Sequence, residues 1–372
     1  MFKLELETSV GGGRLDAVQV LRAVAATLVV VSHVLRLEQE AWRSNADIYA
    51  PALPFGNFGI ATFFVISGFI MYRTAGAEFG VRGAAARFMS KRIGRIVPTY
   101  WAFTGLVLIC PFAIGWHGAS AAGVAFSLAF LPDLTHPPGF EPALVVGWTL
   151  SFEMLFYLVF AACLTLPRAI GLRVLILAFP LYAATMAILG HSSLAARSWW
   201  PLAQYWAGAQ TSLFVIGVVL AMAQEQFGRV VDRFGVGVWI AVGILVVAPT
   251  VMLALRLGQQ DKAIVLLSVC AVALCVMTAG GERRILGPLV KLGDASYALY
   301  LSHCFVVGGL SAAWLYAVGP KYPLLFGVVA VAASCAIAWI VHVRLERPLT
   351  RACRRVLEPR RAPAGERQSA VA

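Results

Sequence analysis

The 372-residue sequence predicts an all-α integral membrane protein of about ten transmembrane helices, with N- and C-termini cytoplasmic and one short re-entrant or interfacial segment near residues 120–131. Three observations predict it. Hydrophobic residues make up 60% of the chain against 13% charged, and mean hydropathy is +0.80, far outside the composition of soluble domains. Apolar windows long enough to cross a bilayer recur from residue 15 to residue 343 with short interruptions. The 30 basic residues fall in alternate loops rather than along the chain at random.

The windows place spans near 15–35, 57–73, 95–115, 145–166, 173–190, 207–224, 236–256, 262–280, 293–316 and 322–343. They are expected to be helices, because unpaired backbone groups are too costly in hydrocarbon and the runs lack the alternating polarity of a membrane barrel. The stretch Ser120–Leu131 is apolar but short and ends at Pro132, hence its assignment as re-entrant or interfacial. With the N-terminus inside, 24 basic residues lie on the cytoplasmic side and 6 outside, and an eleventh span at 120–131 would invert every later loop and erase that asymmetry. The chain thus divides into a cytoplasmic N-terminus (1–14), a polytopic transmembrane domain (15–343) and a basic cytoplasmic tail (344–372) that starts ordered and ends disordered.

A net charge of +12 raises the question of nucleic acid, but its distribution answers to topology and to anionic inner-leaflet lipids, so no nucleic-acid partner is expected. The first apolar stretch has no cleavage site and carries an arginine, so no signal peptide is expected. The seven cysteines include no C-x-x-C pair, and neither a disulfide framework nor a metal site is indicated. No internal repeat is visible, which weighs against an inverted-repeat transporter without removing it.

Ionisable groups inside spans cost at least a few kcal/mol and are functional candidates until a structural partner is named. Arg22 and His33 lie eleven positions apart in the first span, roughly 16 Å along a helix axis and within about 20° of one face. A phosphopantetheine arm has comparable reach, so Arg22 could hold phosphates while the thioester approaches His33. The alternative is structural: Arg22 snorkels to headgroups and His33 bonds a neighbouring helix.

The second span reads Gly59 to Phe69 with Ser67 and Gly68 among phenylalanines, a pattern that permits close helix approach. Lys91, Arg92 and Arg95 precede Pro98 at the inner leaflet, and arginines three apart share a face suited either to phosphates or to ordinary topology-setting charge. Glu153, between Trp148 and Tyr157 in the fourth span, needs a partner or a proton, and a helix–helix hydrogen bond is its bland reading. In the ninth span Ser296, Tyr300 and His303 share a face that could line a cavity, with Tyr297 beside it. His117, His136, His191 and His342 carry no specific signal.

These residues resemble the acyltransferase 3 family of bacterial inner-membrane proteins, particularly its exopolysaccharide-acetylating (ExoZ-like) branch. The resemblance runs nearly end to end, through Arg22 with His33, FFVISGF (63–69), KRIGRIVPTYW (91–101), WTLSFEMLFY (148–157), SYALYLSHCF (296–305) and ERPL (346–349). It implies a multi-pass protein of the bacterial inner membrane that takes an acetyl or similar short acyl group from cytoplasmic acyl-coenzyme A and places it on a hydroxyl of an extracytoplasmic glycan. Acetyl-coenzyme A is then a donor substrate and no permanently bound cofactor is expected. By carry-over Arg22, Arg92 and Arg95 bind the donor, His33 is the catalytic base and Glu153 a further catalytic candidate. Ser67, Trp148, Tyr297, Tyr300 and His303 are cavity-lining or oxyanion candidates.

Unlike some relatives, the chain carries no esterase-like domain after the last span, which favours direct transfer to a polysaccharide or lipid-linked sugar, or to a partner protein. A homodimer or an export-complex partner stays open, as do attack by the sugar hydroxyl directly or through acyl-histidine. Two rival readings also stay open. One is a proton-coupled secondary transporter relaying protons through His33, Glu153 and His303, and the other a non-catalytic component of polysaccharide export.

Overall fold

The computed structural model describes residues 9–10, 13–14, 16–42, 52–110, 120–133, 142–190, 200–208, 210–226, 252, 258–277 and 287–357. Apart from a two-residue antiparallel contact of Ser9–Val10 with Gly13–Arg14, the described chain is helical. The helices are α1 (Asp16–Trp42), α2 (Ala52–Ala75), α3 (Ala84–Ile109), α4 (Ala121–Leu128), α5 (Trp148–Leu164), α6 (Arg168–Leu189), α7 (Trp200–Trp206), α8 (residues 210–226), α9 (Gln260–Met277), α10 (Gly287–Asp294), α11 (Ser296–Ala317), α12 (Pro323–Val341) and α13 (Arg347–Leu357).

Among the described residues, seven helical segments are long and apolar enough to cross a membrane: Asp16–Gln39, Leu53–Ala75, Val145–Leu164, Arg168–Leu189, Pro201–Gln226, Ser296–Ala317 and Pro323–Leu357. The expected spans at 95–115 and 262–280 overlap α3 and α9, while the one at 236–256 lies outside the described residues except for Met252. The seven apolar segments make this a multi-pass membrane protein. At about 1.5 Å per residue, the eight-residue α4 is far shorter than the roughly 30 Å hydrocarbon core. It hangs on α3 through a Tyr100–Ser127 hydrogen bond of 2.8 Å and a Trp101 indole N–H that donates to the Leu128 carbonyl at 2.9 Å.

Burial divides the helices into centre and rim. More than half of the apolar windows of α1, α2 and α5 is buried, against 22% for those of α6 and α12. The rim helices turn Leu177, Leu181 and Ile188, or Leu324, Val328 and Ile340, outward as a surface suited to lipid tails. α1 packs on α2, α10, α11 and α12, and α3 packs on α5 and α13. The main core is aromatic, with Phe156 stacked on Phe214 at 4.3 Å between centroids and Phe88 stacked on Phe160 at 5.0 Å.

The small residues of the second span do allow close approach. A Cβ on Gly68 would stand 1.9 Å from the Phe214 carbonyl oxygen, and one on Gly217 2.0 Å from that of Val65, so α2 and α8 cross on a reciprocal pair of glycines. At one end of this crossing, Tyr72 donates to Glu225 at 2.9 Å and Arg168 donates to the Tyr72 oxygen at 2.7 Å, joining α2, α8 and α6.

After Val341 the helix does not stop. One π turn, His342–Glu346, carries it into α13. Pro348 explains the widening: its nitrogen has no hydrogen for the carbonyl of residue 344, and its ring would crowd that carbonyl in a regular α turn. Within the turn the buried His342 and Glu346 bond to each other at 2.7 Å. α13 then lies along α3, with the Arg354 stem 3.2 Å from where a Cβ on Gly94 would sit. The part of the basic tail beyond Leu357 lies outside the described residues.

Gly68→Ala and Gly217→Ala are each expected to destabilise the fold by about 1–3 kcal/mol through overpacking. Gly105→Ala, with nothing within 4 Å of the added methyl, should be neutral or slightly stabilising. Thermal melting of the detergent-solubilised variants by size-exclusion chromatography checks this, and equal melting of all three would refute the crossing.

Candidate functional site

Among the described residues, five helices converge on a cavity of about 820 Å³, a volume that includes space open to solvent. α1 contributes Arg22, α2 contributes Phe63 and Ser67, α3 contributes Arg92 and Arg95, α5 contributes Thr149, Glu153 and Tyr157, and α11 contributes Ser296, Tyr297 and Tyr300. Aliphatic side chains such as Ile60, Ile66, Ile70 and Ile96 form much of the remaining wall. A large apolar cleft with a few converging polar groups is the usual form of a small-molecule site.

Charge in the cavity is unevenly provided for. Arg22 and Arg92 are both buried. Arg22 donates to the Gln19 side chain over a long 3.4 Å and is attracted electrostatically by Asp294, Glu346 and Glu153. The Arg92 guanidinium lies over two aromatic faces, Phe88 at 5.5 Å and Tyr157 at 5.9 Å, so part of its charge is met by ring quadrupoles. Glu153 accepts hydrogen bonds from the Tyr157 hydroxyl and, at 3.1 Å, from the Ser67 hydroxyl. Carboxylate, phenol and guanidinium thus form one chain of contacts on a single wall.

The two tyrosines of α11 are also committed. Tyr297 donates to the Ile96 carbonyl at 2.9 Å, which ties α11 to α3. Tyr300 donates to the Val146 carbonyl at 2.7 Å and shares a 2.8 Å hydrogen bond with Thr149, which ties α11 to the start of α5. Trp148 stands outside the cavity lining, with its ring edge-on to Phe152 at 6.0 Å.

His33 and His303 lie beyond the cavity wall, against each other. Their ring centroids are 4.8 Å apart at an interplanar angle of 71°. In each case Nδ1 faces the carbonyl four residues back in its own helix, Val29 at 2.9 Å and Leu299 at 3.1 Å. Each Nδ1 therefore carries the donated proton, and each Nε2 presents a lone pair. His303 is fully buried and His33 partly so. Between this pair and the cavity stands Tyr300, whose ring is 6.1 Å from His303 and 6.5 Å from Phe63.

Apart from Trp148, the site candidates that the sequence offers fall into two adjoining groups. Arg22, Arg92, Arg95, Ser67, Glu153, Tyr297 and Tyr300 meet in the cavity; His33 and His303 meet next door. Tyr157 and Thr149 were not singled out. Tyr157 follows Glu153 by four positions, a spacing that puts both on one helix face, and that signal was available. Cys304, whose sulfur lies 3.5 Å from His303 Nε2, gave none.

The family profile described as an acyltransferase domain matches residues 15–343. The chain belongs to the acyltransferase 3 family. This acyltransferase is similar to the exopolysaccharide production protein ExoZ of Rhizobium meliloti (strain 1021), at 32% identity over 303 residues that cover 80% of this chain and 90% of the relative. It is also similar to the acyltransferase MdmB of Streptomyces mycarofaciens, at 24% identity over 94% of each chain. No solved structure matches it at a significant level.

Tyr300→Phe removes the hydroxyl that bonds both Val146 and Thr149 and leaves the Val146 carbonyl with the longer 3.3 Å bond from the Thr149 hydroxyl. The expected loss is about 0.5–1.5 kcal/mol of stability. It is read as a lower melting temperature than wild type, and an unchanged melt would show that these bonds contribute nothing.

Proposed function

We propose that this acyltransferase moves an acetyl or similar short acyl group from cytoplasmic acyl-coenzyme A to a hydroxyl of an extracytoplasmic glycan such as exopolysaccharide or O-antigen. The observation that carries the reading is the convergence of Arg22, Arg92 and Arg95 on one apolar-walled cavity that adjoins an imidazole with a lone pair on offer. Coenzyme A has the same two-part chemistry, phosphates at one end and a slim, largely uncharged arm carrying the thioester. The guanidinium groups suit the first part and the aliphatic wall the second.

In this reading the thioester passes the Phe63–Tyr300 boundary and comes within reach of His33. The acceptor hydroxyl gives its proton to His33 Nε2 while its oxygen attacks the thioester carbonyl, the carbon–sulfur bond breaks, and the imidazolium returns the proton to the departing thiolate. The backbone carbonyl of Val29 holds the tautomer that this step needs. Holding donor and acceptor together supplies much of the rate. Ser67 can steady the carbonyl oxygen only by releasing Glu153, so Glu153 would act by governing that donor as well as by its own charge.

The printed name of the Rhizobium meliloti relative, an exopolysaccharide production protein, supports a secreted polysaccharide as acceptor. The basic-residue asymmetry supports ten spans with both ends cytoplasmic, and with it a bacterial inner-membrane location. Residues 120–131 then form an interfacial or re-entrant segment, and α13 begins the cytoplasmic tail, where its arginines would face anionic headgroups.

His33→Ala should lower acyl transfer to glycan by about 100- to 10,000-fold, the usual contribution of a general base, while the protein still inserts and binds donor. Retained turnover in a radiolabelled acetyl-transfer assay would refute His33 as base. Arg92→Ala combined with Arg95→Ala should raise the donor KM more than it lowers kcat. An unchanged KM for acetyl-coenzyme A would remove those arginines from the donor site.

A further inference from the structure

Beside the cavity, at the contact of α1 and α11, three soft donors meet. One ring nitrogen of His33, one of His303 and the Cys304 sulfur all lie within 4.8 Å of one another, and Cys304 Sγ is 3.5 Å from His303 Nε2. Both imidazoles have their Nδ1 turned to a backbone carbonyl of their own helix. That is the arrangement by which an outer partner orients a metal-bound histidine and leaves Nε2 to the metal. His303 and Cys304 are buried, and Leu299 and Val307, one turn to either side of His303, are buried apolar residues. A cation placed among these donors would be met by both imidazoles and the sulfur at once.

Donor chemistry selects the cation. Two imidazoles and one thiolate, with no carboxylate in the set, suit a borderline or soft d10 ion and not magnesium or calcium. On a tetrahedral zinc, ligands at about 2.0–2.3 Å lie roughly 3.3–3.8 Å from each other, so the Cys304–His303 pair already fits and the widest separation has roughly 1 Å to close. Three protein ligands leave a fourth position open.

We propose that His33, His303 and Cys304 form an exchangeable Zn²⁺ site, and that its occupation switches off acyl transfer. Binding forms two Zn–N bonds and one Zn–S bond. The Cys304 S–H bond breaks, its proton passes to buffer base, and no electron changes hands. The lone pair on His33 Nε2 can hold a metal or accept a hydroxyl proton, but not both. The inhibitory half of the proposal therefore rests on His33 acting as the base, whereas the binding half does not.

The test uses the full chain in lipid nanodiscs after treatment with a chelator. Zn²⁺ alone is titrated by calorimetry, and Co²⁺ is added as a spectroscopic stand-in. One metal per chain is expected, with a sulfur-to-cobalt charge-transfer absorption that disappears in Cys304→Ser and persists in the control Cys353→Ser. Zinc should inhibit acetyl transfer, and in Cys304→Ser the half-inhibiting concentration, taken against that variant's own metal-free rate, should rise at least about tenfold, as loss of one of three ligands implies. Cys304→Ala tests the same ligand if the serine variant is recovered poorly. Absence of the thiolate band in the wild-type chain, or zinc affinity unchanged in Cys304→Ser and Cys304→Ala, overturns the site. Binding without inhibition, or stimulation by zinc, overturns the switch. Metal binding in a chain that transfers no acyl group leaves the site standing and removes the catalytic reading instead.

Discussion

A guanidinium group sunk between helices gives up much of its hydration and has to be met by charge, by π-electrons or by a ligand. Arg22 and Arg92 impose that requirement on the whole central bundle. Arg22 draws on acidic groups from α5, from the end of α10 and from the π turn below α12; Arg92 draws on two aromatic rings from α3 itself and from α5. Helices far apart in sequence are held around one cavity in part because these two charges need them there.

The hydrogen bonds of the cavity wall carry the requirement outward. Tyr297 fastens α11 to α3 and Tyr300 fastens it to the entrance of α5, each through a backbone carbonyl rather than another side chain. Side chains that bond to backbone do not depend on a partner's rotamer, so the geometry of the wall is set by helix position. Tyr300 gains a second importance from its place, since its ring is what separates the arginine-lined cavity from the paired imidazoles.

Much of this was legible in the sequence, and the failures are physical. Composition and charge asymmetry give the helical membrane class because lipid leaves so few alternatives for the backbone. Boundaries drift where charge interrupts hydropathy without interrupting the helix. The expected span 95–115 belongs to a helix that starts at Ala84, because Lys91, Arg92 and Arg95 depress the local average while lying on continuous helix. The expected end near residue 343 misses the π turn and α13 for the same reason. Within the site, Glu153 stands out in the sequence as a carboxylate in need of a partner, and Ser67, which the sequence offers as a small packing residue, supplies one together with Tyr157. The contact of His33 with His303 spans most of the chain, and no spacing rule reaches that far. Cys304 gives no signal in the sequence, because a cysteine in an apolar run is ordinarily core.

The π turn at His342–Glu346 also has a bearing on how this end of the protein can vary. A turn with one residue more than the α-helical period advances everything after it by about 100° around the axis. That phase is what turns Thr350 inward and brings the Arg354 stem onto Gly94. Deleting a single residue between 342 and 346 would rotate α13 back and present a different face to α3, even with every other residue intact. Here the number of residues sets the face that α13 presents, so a deletion in this turn would disturb the packing on α3 more widely than the exchange of one side chain.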